Sequence, residues 1–323
     1  MQQSSVREFP AFFGERRPSK RWAVILAGGE GSRLKILTKA IIGDDRPKQF
    51  CPILGDETLL DLTRDRVNLS IDHRDIYFSL TQTHARFFER PLQTVRDAQK
   101  IIQPENKGTA PAILYSVMRL ANLDPKATVA FFPSDHFFSS DKAFMKNVDS
   151  AFAAVELNPE SVVLLGIEPQ KPEPSYGWIE PAESLFGSMS RSVSRVRKFW
   201  EKPTIGVARH LMSIGCLWNS FVMVGRVETF LAMFREHLPA MFRMFAASSG
   251  TFGKADEFAV IRSIYSWIEE TNFSTEVLEK AAERLLVMRI ADVSWSDWGE
   301  PQRVVGTLQD LGIQPAWMQA LAA

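Results

Sequence analysis

Cysteine is nearly missing from this chain: two residues in 323, Cys51 and Cys216. Two thiols cannot build a disulfide framework or a zinc site, and they read as small core hydrophobes suited to a reducing cytoplasm. Net charge is missing as well, because 38 basic residues balance 38 acidic ones. No overall positive field therefore favours nucleic acid or an anionic membrane, and any positive potential must be local to a site. No apolar run nears the ~20 residues of a membrane span. Residues 1–20 hold Arg16, Arg17 and Lys20 but lack the apolar stretch of a secretory signal, so they read as a polar arm. These absences predict a cytoplasmic protein with neither a nucleic-acid nor a membrane partner. Two familiar phosphate loops are absent too. No segment fits Gly-x4-Gly-Lys-Ser/Thr, and Gly29-Glu30-Gly31-Ser32-Arg33-Leu34 fails the dinucleotide fingerprint at its last position.

What the chain does have is concentrated between Trp22 and Phe50. A short apolar run, Ala23–Leu26, reads as a buried strand. It ends in Ala27-Gly28-Gly29-Glu30-Gly31-Ser32-Arg33. Glycines have no side chains to pack, so three of them in four positions serve close backbone approach and positive φ. Successive backbone N–H groups in such a turn form a concavity for anions. Arg33, and Lys48 within Arg46-Pro47-Lys48-Gln49-Phe50, add cations suited to a chain of phosphates.

Apolar runs at Ala23–Leu26, Ile76–Leu80, Val129–Phe132 and Val162–Gly166 alternate with amphipathic stretches at Leu59–Val67, Ala110–Ala121 and Ala143–Leu157. That alternation predicts an α/β fold with a doubly wound, mostly parallel, Rossmann-like sheet. Tyr176–Glu180, Ser194–Trp200, Leu217–Val224 and Leu285–Ile290 read as further strands. Beyond Val227 the pattern turns helical, with Phe230, Met233, Phe234, Met241, Phe242, Met244 and Phe245 as a core stripe. The predicted organisation is an arm (1–20), a catalytic core (21–226) and a largely helical C-terminal region (227–323) that returns a last motif, 295–299, to the site.

Several polar motifs stand at strand ends. Phe131-Phe132-Pro133-Ser134-Asp135-His136 places a carboxylate past a buried strand, on the edge where open α/β sheets bind ligands. A second carboxylate, Asp297, lies in Trp295-Ser296-Asp297-Trp298-Gly299. Magnesium at phosphoryl sites takes one or two such carboxylates. Taken alone, Asp135 also fits a helix cap and Asp297 a turn. Gln103-Pro104-Glu105-Asn106-Lys107-Gly108-Thr109-Ala110-Pro111 combines a turn with a helix start. Tyr176-Gly177-Trp178, Glu201-Lys202-Pro203 and Trp218-Asn219-Ser220 complete the set.

Taken in order, from about Trp22 to about Val305, these motifs resemble the sugar-1-phosphate nucleotidyltransferases, most closely the mannose-1-phosphate guanylyltransferases. The resemblance implies in-line attack of a hexose 1-phosphate on the α-phosphorus of a nucleoside triphosphate. It implies that Ala27, Gly28, Gly29, Gly31, Ser32 and Arg33 hold the triphosphate, while Lys48 neutralises the α-phosphate. Gln103, Asn106, Gly108 and Thr109 would meet the base, with Tyr176, Gly177, Glu201 and Asn219 on the sugar. Lys202 would meet the sugar phosphate, and Asp135 with Asp297 would hold Mg2+. The expected substrates are GTP and mannose 1-phosphate, with pyrophosphate released and GDP-mannose formed. A homodimer is compatible with the resemblance, and a long C-terminal extension, which makes some relatives bifunctional isomerases, is not expected.

Three departures stand out. Lys35-Ile36-Leu37 replaces the family's Trp-Pro-Leu, Gly108 stands where asparagine is usual, and Phe221 stands where glycine is common. Two of these lie near base and sugar, so UTP, dTTP or ATP with glucose 1-phosphate remains an alternative substrate pair. A non-catalytic sugar-nucleotide sensor is a further alternative. A metal-dependent glycosyltransferase is disfavoured because no Asp-x-Asp occurs.

Overall fold

The apolar runs become strands whose side chains alternate between two cores. In β1 (Arg21–Leu26) Val24 packs into one core and Ala23 and Ile25 into the other. This is the period-2 geometry of a sheet covered on both faces. The computed structural model describes residues 20–184 and 193–318, so the predicted arm lies outside it except for Lys20. The other strands are β2 (Ile76–Thr81), β3 (Lys100–Gln103), β4 (Thr128–Pro133), β5 (Phe137–Phe138), β6 (Val162–Ile167), β7 (Gly177–Ser184), β8 (Val193–Glu201), β9 (Leu217–Arg226), β10 (Leu285–Arg289) and β11 (Trp295–Ser296). The helices are α1 (Lys35–Ile42), α2 (Leu59–Val67), α3 (Ala85–Phe88), α4 (Thr109–Ala121), α5 (Asp141–Leu157), α6 (Ile205–Ser213), α7 (Val227–His237), α8 (Pro239–Ser248), α9 (Glu257–Tyr265) and α10 (Pro301–Asp310).

Nine of these strands form one sheet in the order β3-β2-β1-β4-β9-β6-β10-β8-β7. The half from β3 to β4 is parallel throughout, as the alternation predicts. Beyond it β9 runs antiparallel between β4 and β6, and β8 runs antiparallel beside β10. The four-residue β3, Lys-Ile-Ile-Gln, carries too little pattern to be read from sequence; it is defined by pairing with β2. β10 enters between β6 and β8, so the region after Val227 contributes an interior strand as well as helices.

Helices α4, α7, α8 and α9 cover one face, where Phe230, Met233, Phe234, Met241 and Phe245 are buried. The methionine and phenylalanine stripe is therefore core. Helices α2, α5 and α6 cover the other face. Local chemistry fixes several starts. Thr58 and Asp61 form a reciprocal capping box on α2, Ser140 caps α5, and Pro301 opens α10 at a position that needs no N–H donor. A small third cluster joins Leu34, Leu37 and Cys51 to Trp298, Val304 and Leu308. It packs the neighbourhood of the glycine loop against the last motif. Among the described residues, no helix is long and apolar enough to cross a membrane.

Candidate active site

Parallel pairing brings the ends of β1, β2, β3 and β4 to one edge of the sheet. The register sets Leu26 beside Ser79 and Pro133, and Thr81 beside Gln103. The glycine loop leaves β1 at this edge, where Thr81 Oγ1 donates to the Gly28 carbonyl at 3.0 Å. A Cβ on Gly28 would meet that hydroxyl at 2.7 Å, so close approach requires glycine here. Gly31 has φ +58, in the left-handed region, and its turn opens a short helical turn from Ser32 to Leu34. Gln49 completes the loop: its buried amide donates to the carbonyls of Ala27 at 3.0 Å and Gly29 at 2.8 Å. Each such bond contributes about 1 kcal/mol. Gln49 is quoted within the sequence motif but its holding role depends on this folded geometry.

The loop lines a cavity of about 360 Å³. Gly28, Gly29, Gly31, Gln103, Asn106, Gly108, Thr109 and Asp135 all line it. An adjoining cavity of about 150 Å³ is lined by Tyr176, Gly177, Glu201, Asn219 and Asp297, again with Thr109. His136, Phe221 and Asn272 line both cavities, so the two form one cleft with a shared wall. The base and sugar residues named from sequence thus separate into neighbouring compartments.

Five sequence-predicted residues do not line either cavity: Ala27, Ser32, Arg33, Lys48 and Lys202. Arg33 stands at the surface, 3.8 Å from Glu300. Lys202 is held at the surface beside Glu201, Nζ 3.3 Å from Oε1, on a backbone with φ +47. Lys48, 5% exposed, lies beneath the cleft. Its ammonium donates to the carbonyls of Asp297 at 2.6 Å and Trp298 at 2.9 Å, and sits 3.1 Å from Asp135 Oδ2. Three protons meet three acceptors, so the side chain named for the α-phosphate is already fully engaged by the protein.

Asp297 sits in a dense polar shell. Tyr176 Oη donates to its Oδ1 at 2.9 Å, the Gly299 N–H does so at 3.0 Å, and Arg303 Nε lies 3.4 Å away. Burial opposes the charge on Asp297, but His136, Arg303, the Gly299 N–H and Lys48 outweigh it and hold the carboxyl below its ordinary range. Arg303, from α10, also stacks over the Tyr176 ring at 4.9 Å and pairs with Glu173. Nothing in the sequence around Arg303 marks it; only the packing of α10 against the last motif brings it in. Asp135 Oδ1 and Asp297 Oδ2 take no hydrogen bond among the described residues. Two carboxylates, one lining each compartment and each with an oxygen free of hydrogen bonds (His136 Nε2 lies 3.9 Å from Asp135 Oδ1), are hard oxygen donors of the kind magnesium takes. A separate group, Glu236, His237 and Glu283, brings three donors together, but none of them lines the cleft.

The smaller compartment is walled by aromatic rings. Tyr176 meets Trp218 and Trp295 edge-on, both at 5.1 Å between centroids. A Cβ on Gly177 would meet Phe199 at 2.9 Å and Glu201 Oε2 at 3.1 Å. Burial pushes the Glu201 carboxyl above its ordinary range; Lys202 opposes that and Glu279 adds to it.

Both departures near base and sugar acquire a physical account. Gly108 has φ +86, and a Cβ there would lie 2.5 Å from the Thr271 carbonyl oxygen. The strand-like clip responsible runs Thr271 N–H to Lys107 O at 2.9 Å and Ala110 N–H to Thr271 O at 3.0 Å. Thr109 Oγ1 accepts from Phe273 N at 2.8 Å beside it. Asparagine is excluded because residues 271–273 occupy its space, and the same clip brings Glu270 and Asn272 into the cleft wall. Phe221 has φ +60, a conformation glycine adopts without strain, and its N–H donates to Asn219 Oδ1 at 3.1 Å.

The family model described as nucleotidyl transferase matches residues 22–311. The chain is 28% identical over 280 residues to xanthan biosynthesis protein XanB of Xanthomonas campestris, covering 85% of this chain and 57% of that protein. It is 26% identical over 287 residues to a mannose-1-phosphate guanylyltransferase of Escherichia coli, covering 87% and 58%. The chain thus spans little more than half the length of these curated relatives. A solved structure, described as mannose-1-phosphate geranyltransferase from Thermus thermophilus, superposes with a TM-score of 0.76 at 25% identity, covering 92% of this chain and 80% of that one. With the family model spanning both cavity walls and the last motif, the chain belongs to the nucleotidyl transferase family.

Proposed function

We propose that this nucleotidyltransferase joins GTP to mannose 1-phosphate, forming GDP-mannose and pyrophosphate. The observation that carries the reading is the pair of adjoining cavities. One is floored by the glycine loop and the other by Tyr176, Gly177, Glu201 and Asn219; they share Thr109, His136, Phe221 and Asn272 as a common wall, with Asp135 lining the larger and Asp297 the smaller. A sugar phosphate in the smaller compartment faces a triphosphate in the larger one. Its oxygen forms a bond to the α-phosphorus while the bond to the bridging oxygen breaks, and pyrophosphate leaves with the electron pair. The nucleophile is already an anion, so no general base is needed. What the protein must supply is alignment and relief of repulsion between two anions.

The roles follow from position. Backbone N–H groups of the glycine loop, fixed by Gln49 and Thr81, receive the phosphates. Asp135 and Asp297 would hold Mg2+, which supplies positive charge to the phosphate oxygens. Lys48 acts from below, setting Asp135 and the 297–298 backbone relative to each other. Glu201 and Asn219 orient the hexose, and exposed Lys202 meets its phosphate from the rim. The guanine and mannose assignments draw support from the Escherichia coli relative named for that activity.

The test is pyrophosphate release with GTP, ATP, UTP and dTTP, each against mannose 1-phosphate and glucose 1-phosphate. GTP with mannose 1-phosphate should give the largest kcat/KM. A tenfold preference for UTP or dTTP with glucose 1-phosphate, about 1.4 kcal/mol in transition-state binding, would leave only the reaction class standing. No release with any pair would favour the sugar-nucleotide sensor.

A further inference from the structure

The side chains at the base end of the larger cavity are mostly committed to the protein. Gln103 donates to Ser79 Oγ and the Leu80 carbonyl, and its own oxygen accepts from the buried Tyr265 hydroxyl at 2.9 Å. Thr109 Oγ1 serves Phe273, and Asn106 Oδ1 accepts from the Gly108 N–H at 2.9 Å. Asn272 Oδ1 accepts from the N–H of Ser274. Glu270 is different. It lines the same cavity, at the clip that presses Thr271 onto Gly108, and its carboxylate has no hydrogen-bond or ion-pair partner among the described residues.

We infer that Glu270 reads the nucleobase and that it selects guanine. A carboxylate only accepts hydrogen bonds, so it favours a base edge that offers two adjacent donors. Guanine does so with N1–H and its 2-amino group. Adenine sets an acceptor beside its single amino group, and uracil or thymine sets one N–H between two carbonyls. Either would leave a carboxylate oxygen of this exposed residue facing a lone pair, and such a repulsive contact sets one base against another. The Asn106 amide N–H groups, which take no partner among the described residues, lie in the same wall to donate to the guanine 6-oxo group. The Gly108 departure thus serves recognition. By admitting residues 271–273 it places Glu270 where the usual asparagine would otherwise stand close.

This inference rests on the guanylyl-transfer reading, so the test separates the two. Pyrophosphate release is measured with mannose 1-phosphate and GTP, ITP, XTP or UTP, for the wild type, Glu270→Ala and Glu270→Gln. ITP lacks only the 2-amino group. The wild type should favour GTP over ITP by tenfold or more in kcat/KM, and Glu270→Ala should bring that ratio close to one. The KM for mannose 1-phosphate should stay unchanged, since Glu270 does not line the sugar cavity. Glu270→Gln presents one acceptor and one donor, matching the N1–H and 2-oxo edge of xanthine, and should gain at least tenfold on XTP relative to GTP. A GTP-to-ITP ratio in Glu270→Ala equal to that of the wild type would overturn the role of Glu270 while leaving the guanylyltransferase reading intact. A wild type that prefers a pyrimidine triphosphate would overturn both.

Discussion

Lys48 donates to the backbone carbonyl of Asp297 at 2.6 Å, across 249 positions of sequence. The first and last motifs of the chain are thereby joined through one ammonium, which also faces Asp135 at 3.1 Å. The third hydrophobic cluster includes Trp298, whose carbonyl takes part in this tie, fully buried with Leu34 and Cys51. The two carboxylates named for magnesium are therefore positioned by a single buried cation as well as by their own strands.

Replacing Lys48 by Met should cost stability as well as turnover. Removing one partner of a buried pair costs 3–5 kcal/mol, and the 26% exposure of the Asp135 side chain reduces the expectation to about 2 kcal/mol. Turnover should fall by about 100-fold as the carboxylates lose their spacing. Urea unfolding and pyrophosphate release measure the two effects. Wild-type stability with impaired turnover would mean that the lysine works on substrate and not as a tie.

Asp135→Asn and Asp297→Asn should each fold yet lose about 100-fold in turnover, ~3 kcal/mol of transition-state stabilisation. EDTA should abolish wild-type activity, and magnesium should restore it. The metal assignment is refuted by full magnesium-dependent activity in both variants.

Glu201 links stability to pH. Its folded pKa is raised by burial, so the folded state binds the proton more tightly than the unfolded one. Stability from this group is present in full below the unfolded pKa of about 4.3 and is lost as pH rises through the raised value. Glu201→Gln should therefore melt above the wild type at pH 8, with the gap closing by pH 4.5. Its KM for the sugar phosphate should rise about 10-fold if a charged hydrogen bond to a hydroxyl is lost. Parallel melting curves at both pH values would remove this linkage.

Two left-handed residues make opposite predictions. Restoring asparagine at Gly108 should destabilise by about 2 kcal/mol or more, because its Cβ would meet the Thr271 oxygen at 2.5 Å. At Phe221, with φ +60, Gly and Ala variants lose the same ring, but only Gly releases the strain. Phe221→Gly should be more stable than Phe221→Ala by about 1 kcal/mol, the reverse of the usual order. Equilibrium unfolding of the three variants decides both points, and Ala above Gly at 221 would mean that the strain is not there.

The sequence alone determined the layers, the glycine loop and, through the family resemblance, most of the residues that line the cleft. Periodicity and glycine spacing are local properties, so the strand ending in Leu26, the helical stretches Leu59–Val67 and Ala110–Ala121, and the core stripe after Val227 could all be read directly. Asp135 could be named because it stands just past a buried strand, and Asp297 because its motif resembles the family's. Tertiary structure decided what depends on contacts between distant segments. It placed antiparallel β9 inside the sheet, buried Lys48 away from the cavity, brought Arg303 onto Asp297 and drove residues 270–273 into the cleft wall. No local pattern marks those residues, because their roles come from register between strands and from which helix packs on which loop. Gly108 and Phe221 show both halves of this division. Their identities are legible as departures, but only the Thr271 carbonyl and the positive φ at Phe221 explain what each departure does.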